Sequence, residues 1–269
     1  MTSAGQRRIA VVVGGSRGIG RAIAERLARE GCHVIVNFSR REDDAIATVE
    51  SIERAGGSAE THQANIGEIE AIRAMFGDIG ARLGRVDVLV GNAARGIERP
   101  RNALRAMPKH LRATFDVNVL GPWFCAQEAA KIMPRGGRIV NISSLGAQRY
   151  APRYAAVGVT KAALEALTRY LAVELAPQGI AVNAVSAGLV ESSEGLRMFP
   201  DHVSDVLRRR VPAGRNVQPE DIAGLVAFLC SEDAAMIVGQ TIMMDGGFSL
   251  LGWDLTGFFE GPSDDPAAL

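Results

Sequence analysis

Short apolar, β-branched runs alternate with amphipathic stretches along almost the whole chain, and this alternation limits the fold more than any other feature. The runs Arg8–Val13, His33–Phe38, Val86–Val90, Arg138–Ile142, Ile180–Val185 and Thr241–Met244 read as strands, with Ser58–Gln63 as a weaker third strand. The stretches Ile19–Glu30, Glu42–Ala55, Ile69–Leu83, Pro108–Met133, Tyr154–Ala176 and Glu220–Cys230 read as helices. Parallel strands need crossover connections, and helices supply them. The pattern therefore predicts an α/β fold: a doubly wound parallel sheet with helices on both faces. A chain of 269 residues has the length for one such domain, placed at 1–251, with a tail over 252–269.

Charge narrows the partners. The 30 Lys and Arg balance 30 Asp and Glu, so neither nucleic acid nor an anionic membrane is expected as the main partner. Met1–Arg8 is short and polar, so no signal peptide is expected, and Ile9–Val13 is too short to span a bilayer. A cytoplasmic protein is the expectation. Cys32, Cys125 and Cys230 are odd in number and lack zinc-like spacing. They read as reduced, mostly buried thiols with no metal, against the rival of a catalytic cysteine.

Gly14-Gly15-Ser16-Arg17-Gly18-Ile19-Gly20 follows the first strand and opens the first helix. Such a loop lets backbone N–H groups and the positive end of a helix approach a pyrophosphate. A turn that merely packs strand on helix is the alternative. The position at the start of a βαβ unit favours the phosphate.

Further motifs follow in order: Gly91-Asn92-Ala93-Ala94, Asn118-Val119-Leu120-Gly121, Ile142-Ser143-Ser144 and Asp245-Gly246-Gly247. With the glycine loop they make the chain resemble the classical short-chain dehydrogenase/reductase family over about Arg8 to Leu251. The resemblance implies a Rossmann-type sheet of about seven strands. Gly14, Ser16, Arg17, Gly18, Ile19, Gly20, Asn92, Ala93, Ala94, Gly188 and Val190 would then line the cofactor. Asn65, after the third strand, would meet the adenine, and Ile66 would also line the cofactor. Val13 stands where the family usually has Thr, and Gly91 and Ala94 depart from its Asn-Asn-Ala-Gly.

An acidic residue at the end of the second strand would favour NAD. The chain has Asn37-Phe38-Ser39-Arg40-Arg41 there instead. Arg17, Arg40 and Arg41 would suit the 2′-phosphate of NADP, because guanidinium binds phosphate through forked hydrogen bonds. NADP(H) is therefore the expected cofactor. The alternative for Arg40 and Arg41 is a solvated loop.

The family's carbonyl-reducing centre is Ser, then Tyr with three residues before Lys. With Lys161 as the lysine, that Tyr should be residue 157, which is Val157. Tyr154 lies further upstream, while Ser144 keeps the family distance. Positions four and seven apart share a helix face, so Tyr154 still reaches the side of Lys161. It sits about 4.5 Å nearer the helix start, at about 1.5 Å per residue. In ketone reduction the acid meets the oxygen next to the hydride acceptor. In reduction of an enoyl thioester, charge develops on a more distant oxygen, which a displaced phenol would meet.

The Tyr154–Lys161 spacing and the segment from Ser143 to Leu175 resemble the enoyl-acyl-carrier-protein reductases, in particular the NADPH-dependent enoyl reductase III type. That resemblance implies Tyr154, Lys161, Ser144 and Asn118 as the catalytic group, with Lys161 also on the nicotinamide ribose. Leu189–Arg215, irregular and interrupting the alternation, is expected to be a substrate lid. Tyr150, Leu189, Leu196, Met198 and Phe199 are candidate substrate contacts, against ordinary helix packing. Arg197 and Arg208–Arg210 could meet an acyl carrier protein or a pantetheine phosphate, against a solvated face. Trp253, Phe258 and Phe259 in the tail are expected to cover a subunit surface, and the family implies a homotetramer or homodimer. Three other readings stay open: an NADP-dependent carbonyl reductase or alcohol dehydrogenase, an enoyl reductase of polyketide or other specialised metabolism, and a cofactor-binding regulator without turnover.

Overall fold

The first strand, β1 (Ile9–Val13), is buried along its whole length, as an apolar run between two helix layers must be. In the computed structural model, which describes residues 7–96, 102–191 and 206–251, it leads to α1 (Gly18–Arg29) and β2 (His33–Phe38). Next come α2 (Glu42–Arg54), β3 (Ser58–Gln63), α3 (Ile69–Leu83) and β4 (Val88–Gly91). The second half runs α4 (Pro108–Phe115), α5 (Gly121–Ala130), β5 (Arg138–Ser144) and α6 (Ala155–Leu175). It ends with β6 (Ala181–Ala187), α7 (Pro219–Leu229) and β7 (Thr241–Met244). The strands pair in parallel in the order β3-β2-β1-β4-β5-β6-β7. The order reverses between β1 and β4, where such sheets leave a crevice at the carboxyl ends of the strands.

Two apolar cores sandwich the sheet. On one face α1, α2 and α7 contribute Ile23, Leu27, Ile52, Ile222 and Val226. On the other, α3, α5 and α6 contribute Ile72, Met75, Ile79, Cys125, Leu164 and Leu171. Truncating a fully buried residue such as Leu164 to Ala should cost about 2–5 kcal/mol. This rigid base holds the strand ends that build the site.

The expected long helix over 108–133 is interrupted. A π-helical turn, Asp116–Leu120, separates α4 from α5. Pro122 has no N–H to give to the carbonyl of Asn118, and the Gly121 N–H bonds instead to Asp116, five residues back. β5 and β6 run two residues further than the sequence pattern suggests, because Ser143 pairs with Ser186 and Ser144 with Ala187. Leu196, Arg197, Met198, Phe199 and the aromatics of the tail lie outside the described residues. Among the described residues, no helix is long and apolar enough to cross a membrane.

Candidate active site

The glycine loop is built by close approach. A Cβ on Gly20 would sit 2.1 Å from the Gly14 carbonyl oxygen and 2.6 Å from Asn92 Nδ2. Asn92 Nδ2 donates to Gly14 O at 2.8 Å, which fastens the loop to the end of β4. Gly18 has φ +52°, and nothing lies within 4 Å of where its Cβ would be. The loop therefore opens onto free space at the start of α1, where Arg17 is extended and no side chain caps the helix. The first-turn N–H groups of a helix have no partner inside it. They are what a pyrophosphate needs, and the cradle fits a dinucleotide.

Asn37 and Thr48 support this cradle. Buried Asn37 accepts from Gly14 N at 3.3 Å and donates to the His62 and Ala64 carbonyls at 3.2 and 3.1 Å. Thr48 Oγ1 donates to Ser16 O at 2.9 Å. The polar Asn inside an apolar strand was the signal for the first; Thr48 gave none. Arg17, Arg40 and Arg41 are all exposed around the cradle, and Arg41 pairs with Asp44 at 3.7 Å. Asn65 holds its own turn, donating to Glu68 at 2.6 Å and accepting from Gly67 N at 3.2 Å. Ile66 is buried and packs against Gly121.

The departure at Gly91 has a local cause. A Cβ there would lie 2.6 Å from Asn141 Oδ1 on the paired strand β5. Asn141 occupies that space and donates to Thr168 at 3.1 Å. Ala93 packs against Gly14, while Ala94 is exposed.

Tyr154, Ser144 and Lys161 meet at the carboxyl end of β5. Tyr154 is the residue before α6 rather than its first member, and its carbonyl accepts the first helical bond, from Gly158 N at 2.8 Å. Its hydroxyl donates to Ser144 Oγ at 3.4 Å. Its ring lies on Gly146, where a Cβ would approach it to 2.6 Å. Gly158 in turn lets α6 approach the Gly146 carbonyl, which a Cβ would meet at 2.6 Å. These two glycines make the seat of the phenol, and sequence reasoning did not single them out. Burial pushes the phenol pKa up, partly offset by the Ser144 hydrogen bond.

Lys161 is 4% exposed, and its Nζ donates to Ile142 O at 2.6 Å. Burial lowers its pKa to about 8, against the attraction of Glu165. Val157, where the family has Tyr, is buried in packing beneath Gly96. Asn118 sits in the π-turn and spends its side chain on neighbours. Its Oδ1 accepts from Arg95 N at 2.8 Å, and its Nδ2 donates to Arg95 O and Thr160 Oγ1, both at 3.0 Å.

Tyr154 and Arg153 line two hollows. One, of ≈ 300 Å³, is lined by Asn102, Ala103, Tyr150, Arg153 and Val159 among others. The second is lined by Gly96, Met107, His110, Leu111 and Val157. Tyr150 is 88% exposed at the rim of the first. A hollow of ≈ 410 Å³ lies at the opposite ends of the strands, beside Gly31, Cys32 and Ser58, and contains none of these groups. Gly188 follows β6 and packs so tightly on Asp245 that a Cβ would come within 2.5 Å. Val190 is buried in the core and bridges to Val217, and Leu189 is half-buried. The three cysteines are buried and free, and burial raises each thiol pKa, Cys230 to about 12. None is poised as a nucleophile.

Comparison with known proteins agrees with this geometry. The family model described as enoyl-(acyl carrier protein) reductase matches residues 13–249. The chain is 40% identical over 254 residues to a 1-cyclohexenylcarbonyl-CoA reductase of Streptomyces collinus, covering 93% of this chain and 89% of that protein. It is 38% identical over 240 residues to a 3-oxoacyl-[acyl-carrier-protein] reductase of Staphylococcus aureus, covering 88% and 96%. Among solved structures, an angucycline C-6 ketoreductase with bound NADP superimposes with a TM-score of 0.83 at 35% identity, covering 90% of this chain and 96% of that one. A short-chain dehydrogenase of Burkholderia cenocepacia in complex with NADP gives 0.82 at 33%, covering 90% and 98%. With its parallel sheet, glycine cradle and Ser-Tyr-Lys group, the chain belongs to the short-chain dehydrogenase/reductase family of oxidoreductases.

Proposed function

We propose that the chain is an NADPH-dependent reductase of the C2=C3 double bond of an enoyl thioester. The observation that carries the reading is the phenol's position. Tyr154, not residue 157, stands beside Ser144, while Val157 is buried against Gly96 at the edge of the second hollow. NADPH, when bound, supplies the hydride. The glycine loop holds its pyrophosphate, and Arg17, Arg40 and Arg41 receive the 2′-phosphate. The bound NADP of two structural neighbours supports that choice.

Reduction at the β-carbon pushes an electron pair through the conjugated system onto the thioester oxygen. Tyr154 turns its single O–H from Ser144 Oγ to that oxygen and stabilises the enolate, while the Ser144 hydroxyl donates to the phenol oxygen. Lys161 has three N–H donors, of which Ile142 takes one; the others serve the nicotinamide ribose hydroxyls. Its positive charge favours anionic character nearby. Ser144 fixes the phenol's direction, and Asn118 holds the loop at Arg95. A proton reaching the α-carbon completes the product. The relative from Streptomyces collinus, named for a cyclohexenyl-carbonyl thioester, supports an unsaturated substrate. Leu189–Arg215 acts as the lid, the thioester is carried on an acyl carrier protein or coenzyme A, and the protein works as a cytoplasmic homo-oligomer.

A specific observation favours a second reading. The Ser144–Tyr154 hydrogen bond is also what a carbonyl reductase uses to orient its acid, and relatives named as 3-oxoacyl reductase and ketoreductase match at similar identity. Oxidation of NADPH by crotonyl thioester against acetoacetyl thioester separates the two readings.

A further inference from the structure

Three consecutive residues of β5 are each held by a different residue of the Tyr154–α6 segment. Ile142 O accepts from Lys161, Ser143 Oγ donates to Glu165 Oε1 at 2.7 Å, and Ser144 Oγ accepts from Tyr154. Residues four and seven apart return to one helix face, so 154, 161 and 165 form a single row. Glu165 is 6% exposed. Its second oxygen accepts from Gln148 Nε2 at 3.2 Å, just past the 3₁₀ turn Leu145–Ala147 that seats the Tyr154 ring. A buried carboxylate is costly unless its lone pairs are used, and here both oxygens are used to tie β5 and that turn to α6.

We propose that Glu165 is a positioning residue for this site. Through Ser143 and Gln148 it fixes the strand end and turn that set Ser144 and Tyr154 against Lys161, and it carries its carboxylate on the same face of α6, one turn past Lys161. The proposal rests on the reading that Tyr154 and Lys161 carry the reaction. Among the described residues, the other titratable groups on elements packed against α6 are Lys109, His110 and Arg112 on α4, Asp116 in the π-turn, Cys125 and Glu128 on α5 and Arg138 at the far end of β5. The Glu165 carboxylate attracts the Lys161 ammonium, and Tyr154 is the other titratable group beside Ser144.

The test compares the wild-type enzyme with Glu165→Gln, which keeps the shape and removes the charge. Turnover of crotonyl thioester is followed from pH 6 to 9.5, and NADPH binding is read by cofactor fluorescence over the same range. Loss of the carboxylate should move the alkaline limb of turnover down by about one pH unit, with NADPH binding weakening at the same pH. An unmoved limb overturns the proposal, whatever happens to the plateau. Should Glu165→Gln not fold, Ser143→Ala decides: a several-fold drop in kcat with NADPH affinity retained is expected, and wild-type kcat overturns it. A Tyr154→Phe enzyme with normal turnover would instead refute the underlying reading.

Discussion

The Tyr154 hydroxyl donates to Ser144 Oγ at 3.4 Å although the two residues lie ten positions apart, one just before a helix and the other at a strand end. The contact depends on the missing side chains of Gly146 and Gly158, which bring the turn after β5 against α6. It joins the displaced phenol to the strand that also anchors Lys161.

Tyr154→Phe keeps the ring on Gly146 and removes only the hydroxyl. Turnover should fall at least about 100-fold, the scale of losing one preorganised donor to a developing oxyanion. NADPH affinity, measured by fluorescence, should stay within about twofold. Near-normal turnover would remove Tyr154 from the chemistry.

Lys161 trades stability for function. Burial holds its pKa at about 8, below the ordinary 10.5 of the unfolded chain. Below pH 8 the ammonium is carried into the fold at its full cost. That cost shrinks as pH rises from 8 and is gone above the unfolded value. The gap of about 2.5 pH units sets an upper bound of about 3 kcal/mol, reduced by about 1 kcal/mol for the hydrogen bond to Ile142. Lys161→Met should therefore abolish turnover yet raise Tm at pH 7 by several degrees, and by less at pH 10. Calorimetry at the two pH values checks both statements.

Gly20→Ala forces a methyl to within 2.1 Å of the Gly14 carbonyl oxygen. The backbone must open, at a cost of about 2 kcal/mol or more, and NADPH binding should be lost. Gly18, by contrast, has free space for a methyl but sits at φ +52°, so Gly18→Ala should strain the loop by about 1–2 kcal/mol. Denaturant titration and NADPH fluorescence of both variants test the cradle.

Cofactor choice is tested at the end of β2. Arg40→Ala combined with Arg41→Ala should lower kcat/KM for NADPH at least about tenfold and leave NADH nearly unchanged. An unchanged NADPH preference would assign both arginines to solvent.

The sheet was legible because its central strands are buried, continuous apolar runs, as in β2; the edge strands β3, polar and half-exposed, and β7, half-buried, also fall at their expected positions. The cradle was legible because its glycines all fall within one short segment, residues 14–20. The break between α4 and α5 was hidden, since a single Pro122 after a helical pattern carries little signal until its missing N–H shifts the bonds of Asp116–Leu120. The seat of Tyr154 was hidden for another reason: Gly146, Gly158 and Glu165 act through contacts that only the meeting of β5 and α6 creates. Asn141 filling the place left at Gly91 is a cross-strand exchange of the same kind.

The central claim is that the displaced phenol serves carbon–carbon double bond reduction. It is tested most directly by kcat/KM for crotonyl thioester and for acetoacetyl thioester, measured side by side with NADPH. The expected result is a preference for the enoyl substrate of at least about 100-fold, lost in Tyr154→Phe. Efficient reduction of the acetoacetyl thioester with none of the crotonyl thioester would contradict the claim and make the protein a carbonyl reductase.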